Sequence, residues 1–259
     1  MQKGVTMADY LKSNFIVEEK VRIQGIPAII FRPREVKERI PTVIFYHGWS
    51  SNKELQRLRG FILASAGYQA VIPDAVYHGE RNPLTQYDNE AAIEYFWDII
   101  FNNIEEYGTI ARESALKYNA DAERIAVMGN SMGGFTAGGI FTHNKDIKAL
   151  IVLNGSCGWE NFNENIEVSS SEKIEIIRKK VRDMNPMNNL NLLKDRPVLM
   201  LHGDSDIIVP VDSQRIFYDK LSPLYKDKDK LKLIEYPRLN HFVTTNMMEE
   251  SINWLGKYL

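Results

Sequence analysis

Residues 125–134 constrain this chain more than any other segment. Ile125–Met128 is a fully apolar run with β character, and it passes without a break into Gly129-Asn130-Ser131-Met132-Gly133-Gly134. A Gly-x-Ser-x-Gly segment between an apolar strand and a run of small residues predicts a sharp strand-to-helix turn with the serine at its apex. The glycines leave room for close backbone approach, and Ala137-Gly138-Gly139 lets the following helix pack tightly. Ser131 is therefore a candidate nucleophile, because a serine hydroxyl needs both an exposed position and a partner base to react. The N–H groups at the start of the helix would favour negative charge developing beside it.

Around this turn, short β-rich runs alternate with longer helical patterns, which predicts a mostly parallel sheet covered by helices. Val21–Ile23 and Ala28–Phe31, separated by Gln24-Gly25, read as an edge hairpin. Thr42–Tyr46, Gln69–Ile72, Ile125–Met128, Leu150–Leu153, Val198–Leu201 and Leu231–Tyr236 complete about eight strands. Helices are expected at Leu55–Ala66, at Glu90–Tyr118 with Ile93, Trp97, Ile100, Ile104 and Tyr107 on one face, and at Met247–Tyr258. The 259 residues suit one α/β domain spanning 1–259, with 44% hydrophobic and 25% charged residues, a balance that needs no disulfide to build a core.

Residues 155–196 break the alternation. They contain an amphipathic helix, Glu172–Met184, with Ile174, Ile177 and Val181 on one side. We read the stretch as a small helical cap inserted over the carboxyl edge of the sheet. The plainer alternative is a connecting helix with a long approach loop. Trp159 and Phe162, at the start of the stretch, are candidate substrate-binding residues that would wall an apolar pocket, or they pack the insert onto the body.

Two further segments carry candidate chemistry. His202-Gly203-Asp204-Ser205-Asp206 follows an apolar strand, where an acid can orient a base histidine; Asp204 and Asp206 compete for that role, the other bracing the loop. Of the five histidines, only His241 lies after both the serine and the acid, the chain order expected of a Gly-x-Ser-x-Gly fold. His47 and His202 sit in His-Gly turns, which suits bonds to nearby backbone. Tyr46-His47-Gly48-Trp49-Ser50 ends the third strand and would supply a second oxyanion donor, Trp49 or Ser50, beside the N–H of Met132. Asp74, His78 and Arg81 read as a hydrogen-bonded brace next to the site, with a metal or anion site as the other reading.

Together these segments resemble α/β-hydrolases of the dienelactone hydrolase and prolyl-oligopeptidase-like branch, including small bacterial carboxylesterases. The matching pieces are His47-Gly48-Trp49, the Asp-x-x-x-His-Gly-x-Arg spacing of Asp74–Arg81, Arg124–Gly134, His202–Pro210 and His241. The resemblance implies the α/β-hydrolase fold, a Ser131–Asp206–His241 triad, an oxyanion hole of Trp49 and Met132, and hydrolysis of small or aryl carboxylic esters with no metal or organic cofactor. Dienelactone hydrolases carry cysteine at the elbow, where this chain has serine. The oligopeptidases carry a large extra domain for which this chain has no room. A peptidase, thioesterase or acyltransferase on the same fold, or a binding protein without catalysis, are the other readings.

The net charge of -2, with both signs dispersed, implies no nucleic-acid partner. No apolar run is long enough to span a bilayer, and MQKGVTMADYLK lacks the apolar core of a signal peptide. A single cysteine, Cys157, excludes an intrachain disulfide and fits a reducing compartment. The expected setting is cytoplasmic, with a small-molecule ester as the partner and the oligomeric state left open.

Overall fold

The structure is a computed structural model and describes residues 12–159 and 172–259. One eight-stranded sheet organises it, in the order β1-β2-β4-β3-β5-β6-β7-β8. Strands β1 (Ile16–Ile23) and β2 (Ile26–Pro33) form the edge hairpin, turning through Gln24 and Gly25, both at positive φ. Strand β2 then pairs antiparallel with β4 (Gln69–Pro73). From there β3 (Ile40–Tyr46), β5 (Ala120–Asn130), β6 (Ala149–Leu153), β7 (Val198–Gly203) and β8 (Leu231–Tyr236) are all parallel. This is the mostly parallel, eight-stranded sheet that the alternation of strands and helices predicts, and the α/β-hydrolase architecture that the resemblance implies.

The strands read as unbroken apolar runs because both faces of the sheet are covered. Alternate residues of each strand belong to different clusters, as the two-residue period of a strand requires. Ile44, Val127, Val152 and Met200 pack under α2 (Asn89–Lys117), α3 (Met132–His143) and α5 (Asp212–Leu221), against Tyr107, Ile140, Phe141 and Phe217. Val43, Phe45, Ala126, Met128, Ile151 and Leu199 face α1 (Arg57–Ser65) and α6 (Thr245–Tyr258), against Leu63, Trp254 and Leu255. Helix α2 starts where Asp88 accepts a hydrogen bond from the Ala91 N–H, and α6 where Thr244 accepts one from Met247.

Helix α4 (Glu172–Met184) has the bounds expected from its pattern. It packs on α2 through Val181, Ile177 and Met184, with Lys180 paired to Glu105 at 2.7 Å and lying over the Phe101 ring. Asn185, just after it, accepts hydrogen bonds from the N–H groups of Met187 and Trp159, tying the turn after the helix to the start of the insert. Trp159 itself is fully buried. Its indole packs on Trp97 at 5.1 Å and on the Cα of Gly139, where a Cβ would meet the ring. Of its two expected roles, packing is the one these surroundings display. Phe162 lies outside the described residues.

Candidate active site

Every parallel strand ends at the same edge of the sheet, so the loops after β3, β5, β6, β7 and β8 gather there. The chain runs outward in opposite directions from β3 and β5, which makes their carboxyl ends the point where a crevice opens. His47-Gly48-Trp49 and Ser131 occupy it.

Ser131 sits between β5 and α3 with φ 55° and ψ −123°, a conformation that a residue with a side chain seldom adopts. Three features hold it there. Its N–H donates to the Leu153 carbonyl on β6 (2.9 Å), and its own carbonyl accepts from the Gly134 N–H (2.7 Å). The flanking glycines are compulsory, since a Cβ on Gly129 would overlap the Gly133 carbonyl and one on Gly133 the Tyr46 carbonyl. Met132 opens α3, where backbone N–H groups have no carbonyl of their own helix to meet.

The loop after β3 lies directly against this turn. A Cβ on Gly48 would stand 3.1 Å from the Ser131 Cβ. His47 sets the orientation of the Gly48–Trp49 peptide. Its Nε2 accepts from the Ala75 N–H (3.0 Å), so Nδ1 carries the proton and donates to the Gly48 carbonyl (2.9 Å). Burial, with His78 close by, pushes the His47 imidazole down to about 4, which keeps it neutral in this role. The Trp49 indole donates to the Tyr87 carbonyl and stands edge-on to Tyr87 and His78.

Asp206 and His241 meet. The His241 Nδ1 donates to Asp206 Oδ2 at 2.7 Å. Asp206 also accepts the N–H groups of Ile208 and Val209 on Oδ1, each at 2.9 Å. His202 stands behind it, its Nε2 2.8 Å from the Val209 carbonyl and 3.3 Å from Asp206 Oδ2. Burial alone would raise the Asp206 carboxyl, but hydrogen bonds from His202, His241 and Val209 outweigh it and hold the group well below the usual carboxylate range. Asp204 has other work: its Oδ1 accepts from the Ser205 hydroxyl and the Arg238 N–H, closing the loop. Of the two aspartates, Asp206 is the one bonded to the His241 imidazole. What the sequence did not reveal is the second imidazole on Asp206; its four-residue offset within His202–Asp206 was the available signal.

The Asp74 segment is a brace. The buried Asp74 carboxylate accepts the Lys53 N–H (2.9 Å), the Lys53 ammonium (2.7 Å) and the Glu80 N–H (3.0 Å). Arg81 reaches back to the Asp74 carbonyl and pairs with both oxygens of Glu106 on α2. The loops after β3 and β4 are thereby one unit.

Comparison with known proteins agrees with this reading. The profile of the prolyl oligopeptidase family matches residues 57–259. YitV of Bacillus subtilis, provisionally named an esterase, is 34% identical over 257 residues, covering 93% of this chain and 98% of its own. Esterase YjfP of Escherichia coli is 27% identical over 251 residues, with the same coverage of both chains. The crystal structure of TT1662 from Thermus thermophilus superposes with a TM-score of 0.76 at 20% identity, over 93% of this chain and 97% of that one. With a nucleophile elbow, a paired acid and imidazole, and this match over most of its length, the chain belongs to the prolyl oligopeptidase family of the α/β-hydrolase superfamily and is a serine hydrolase.

Proposed function

We propose that Ser131, Asp206 and His241 are the catalytic triad of this carboxylesterase, that the N–H groups of Trp49 and Met132 form its oxyanion hole, and that it acts on small or aryl carboxylic esters. The observation that carries the assignment is the 2.7 Å hydrogen bond from His241 to a carboxylate held ionised, in the loops flanking a serine at positive φ.

The reaction follows from the roles of these groups. His241 takes the proton of Ser131 as Oγ bonds to the ester carbonyl carbon, and the carbonyl oxygen becomes an oxyanion facing the two N–H donors. Asp206 holds the imidazole in the tautomer with Nε2 open and stabilises its cation. His241 then protonates the alkoxide as the C–O bond breaks, leaving an acyl-serine. A water molecule, deprotonated by the same imidazole, adds to the acyl carbon, and Ser131 leaves with the proton returned. The chemistry uses only side chains and N–H groups of this chain.

The insert at 155–196 acts in this reading as a cap. Helix α4 is anchored on α2 beside the aromatic group of Phe96, Trp97, Phe101 and Phe135, next to Met132. An acyl pocket walled by such rings favours compact apolar or aryl acids. Among the described residues no helix is long and apolar enough to cross a membrane. A cytoplasmic setting belongs to the same proposal, supported by the single buried thiol of Cys157.

The discriminating experiment compares kcat/KM for p-nitrophenyl esters of graded acyl size with that for aminoacyl anilides. Faster turnover of acetyl to benzoyl esters than of any anilide is expected. Preferential cleavage of the anilides would overturn the esterase reading in favour of a peptidase.

A further inference from the structure

Asn154 follows β6, a strand that carries none of the proposed triad, yet its side chain bonds to the acid and base segments while its two chain neighbours meet the serine turn. It is fully buried and has φ 45°, a left-handed conformation that asparagine tolerates better than most residues. Its Oδ1 accepts the Gly203 N–H at 3.0 Å, three residues before Asp206. Its Nδ2 donates to the Phe242 carbonyl at 2.9 Å, one residue after His241. Neither partner can be exchanged: turning the amide over would set NH2 against N–H and oxygen against carbonyl. Its backbone N–H donates to the Leu201 carbonyl of β7 (2.9 Å). The residue before it, Leu153, accepts the Ser131 N–H. The residue after it is Gly155, where a Cβ would stand 3.0 Å from the Ser131 carbonyl.

The acid and base loops are already joined to each other. Ser205 N–H donates to the Leu239 carbonyl, and the Asn240 side chain accepts from Ile207 and His241. The pair is therefore a unit, and what must still be fixed is where that unit stands relative to the nucleophile. We propose that Asn154 is a positioning residue for the reaction: its carboxamide fastens the Asp206–His241 unit to the strand end that also holds Ser131, and so sets the approach of imidazole to hydroxyl. One planar group with a donor and an acceptor does this, where an aliphatic side chain of the same size has neither.

The inference rests on the triad reading, and the test keeps the two apart. Asn154→Gly retains the left-handed backbone and removes both side-chain bonds. Asn154→Asp keeps the acceptor for Gly203 but faces the Phe242 carbonyl with oxygen, and it serves if the glycine variant does not fold. Active sites are counted by exhaustive fluorophosphonate titration, so that kcat is expressed per folded site. For either variant kcat per site falls about 10- to 100-fold, as expected of a displaced reacting pair, with KM for a p-nitrophenyl ester changed less than about twofold. The rate constant of labelling falls with it. If kcat per titrated site stays at the wild-type value while thermal stability alone drops, Asn154 merely stabilises the fold and the proposal is overturned. The separate control is Ser131→Ala: persistent labelling or turnover there would sink the triad itself, whatever Asn154 does.

Discussion

His47 shows how one side chain couples the site to the stability of the protein. It is neutral when folded because burial lowers it from an ordinary 6.5 to about 4, with His78, Asp74 and Lys53 around it. Between those two pH values the unfolded chain binds a proton that the folded one does not. Stability should therefore fall as pH drops from about 6.5 to about 4, and this group should contribute no slope above that window. A shift of this size corresponds to about 3 kcal/mol. Urea denaturation at a series of pH values checks this: His47→Asn should have a shallower slope in that window, reduced rather than abolished because burial lowers His78 as well. An unchanged slope would show that His47 does not carry the effect. Single residues were also where the sequence spoke most clearly. Ser131 and His241 follow from motif and chain order, because the elbow needs glycines at fixed spacing and only one histidine follows the acid. Asp206 over Asp204 rested on resemblance alone, since two aspartates two apart in a turn look alike until hydrogen-bond partners are seen. Asn154 was invisible, because an asparagine after a strand has the composition of any turn.

Among the elements, the loops after β3 and β4 form the mechanical base of the proposed oxyanion hole. Lys53 and Asp74 are both buried and make an ion pair with each other, and Glu80 and Arg22 extend it towards solvent. Removing one partner of a buried pair leaves a charge without compensation, so Asp74→Ala should destabilise the protein by about 3–5 kcal/mol. Equilibrium urea unfolding measures that loss; a change under about 1 kcal/mol would mean the pair is not buried as described. Element boundaries were less legible than element types. Strand β1 begins at Ile16, ahead of the expected Val21, because Glu18, Glu19 and Lys20 belong to an edge strand that leaves charged side chains partly in solvent. Strand β5 begins at Ala120 for a related reason: Asp121, Glu123 and Arg124 interrupt the apolar pattern while the chain is still pairing near Ile40. Helix α5 escaped notice altogether. Its ten residues are mostly polar, and only Phe217 and Leu221 at helical spacing mark the buried side.

At the scale of the whole molecule, the site depends on one sheet covered on both faces. The candidate triad follows β5, β7 and β8, running from the middle of the sheet to its edge, and the side chains of these strands alternate between the two clusters, so neither layer of helices can loosen without moving the edge where the loops meet. Ile151, fully buried in the middle of β6, tests this directly. Ile151→Ala should cost about 2–5 kcal/mol of stability by leaving a cavity, read as a lower urea midpoint, while kcat of the folded variant stays within a few-fold of wild type. A midpoint unchanged within error would contradict the packing. The alternation of strands and helices was legible because apolar periodicity survives at this scale. The arrangement of residues 155–196 was not, because its amphipathic helix, read as a cap, also fits a connecting helix, and its pattern does not say which surface it meets.

The central claim is that Ser131 is an activated nucleophile with His241 as its base. The most direct measurement is the labelling rate of the intact protein by a fluorophosphonate, with the modified residue located by peptide mass spectrometry. The account predicts a single adduct on Ser131, none in Ser131→Ala, and a rate reduced at least about 10³-fold in His241→Ala. An adduct elsewhere, or a rate indifferent to the loss of His241, would contradict it.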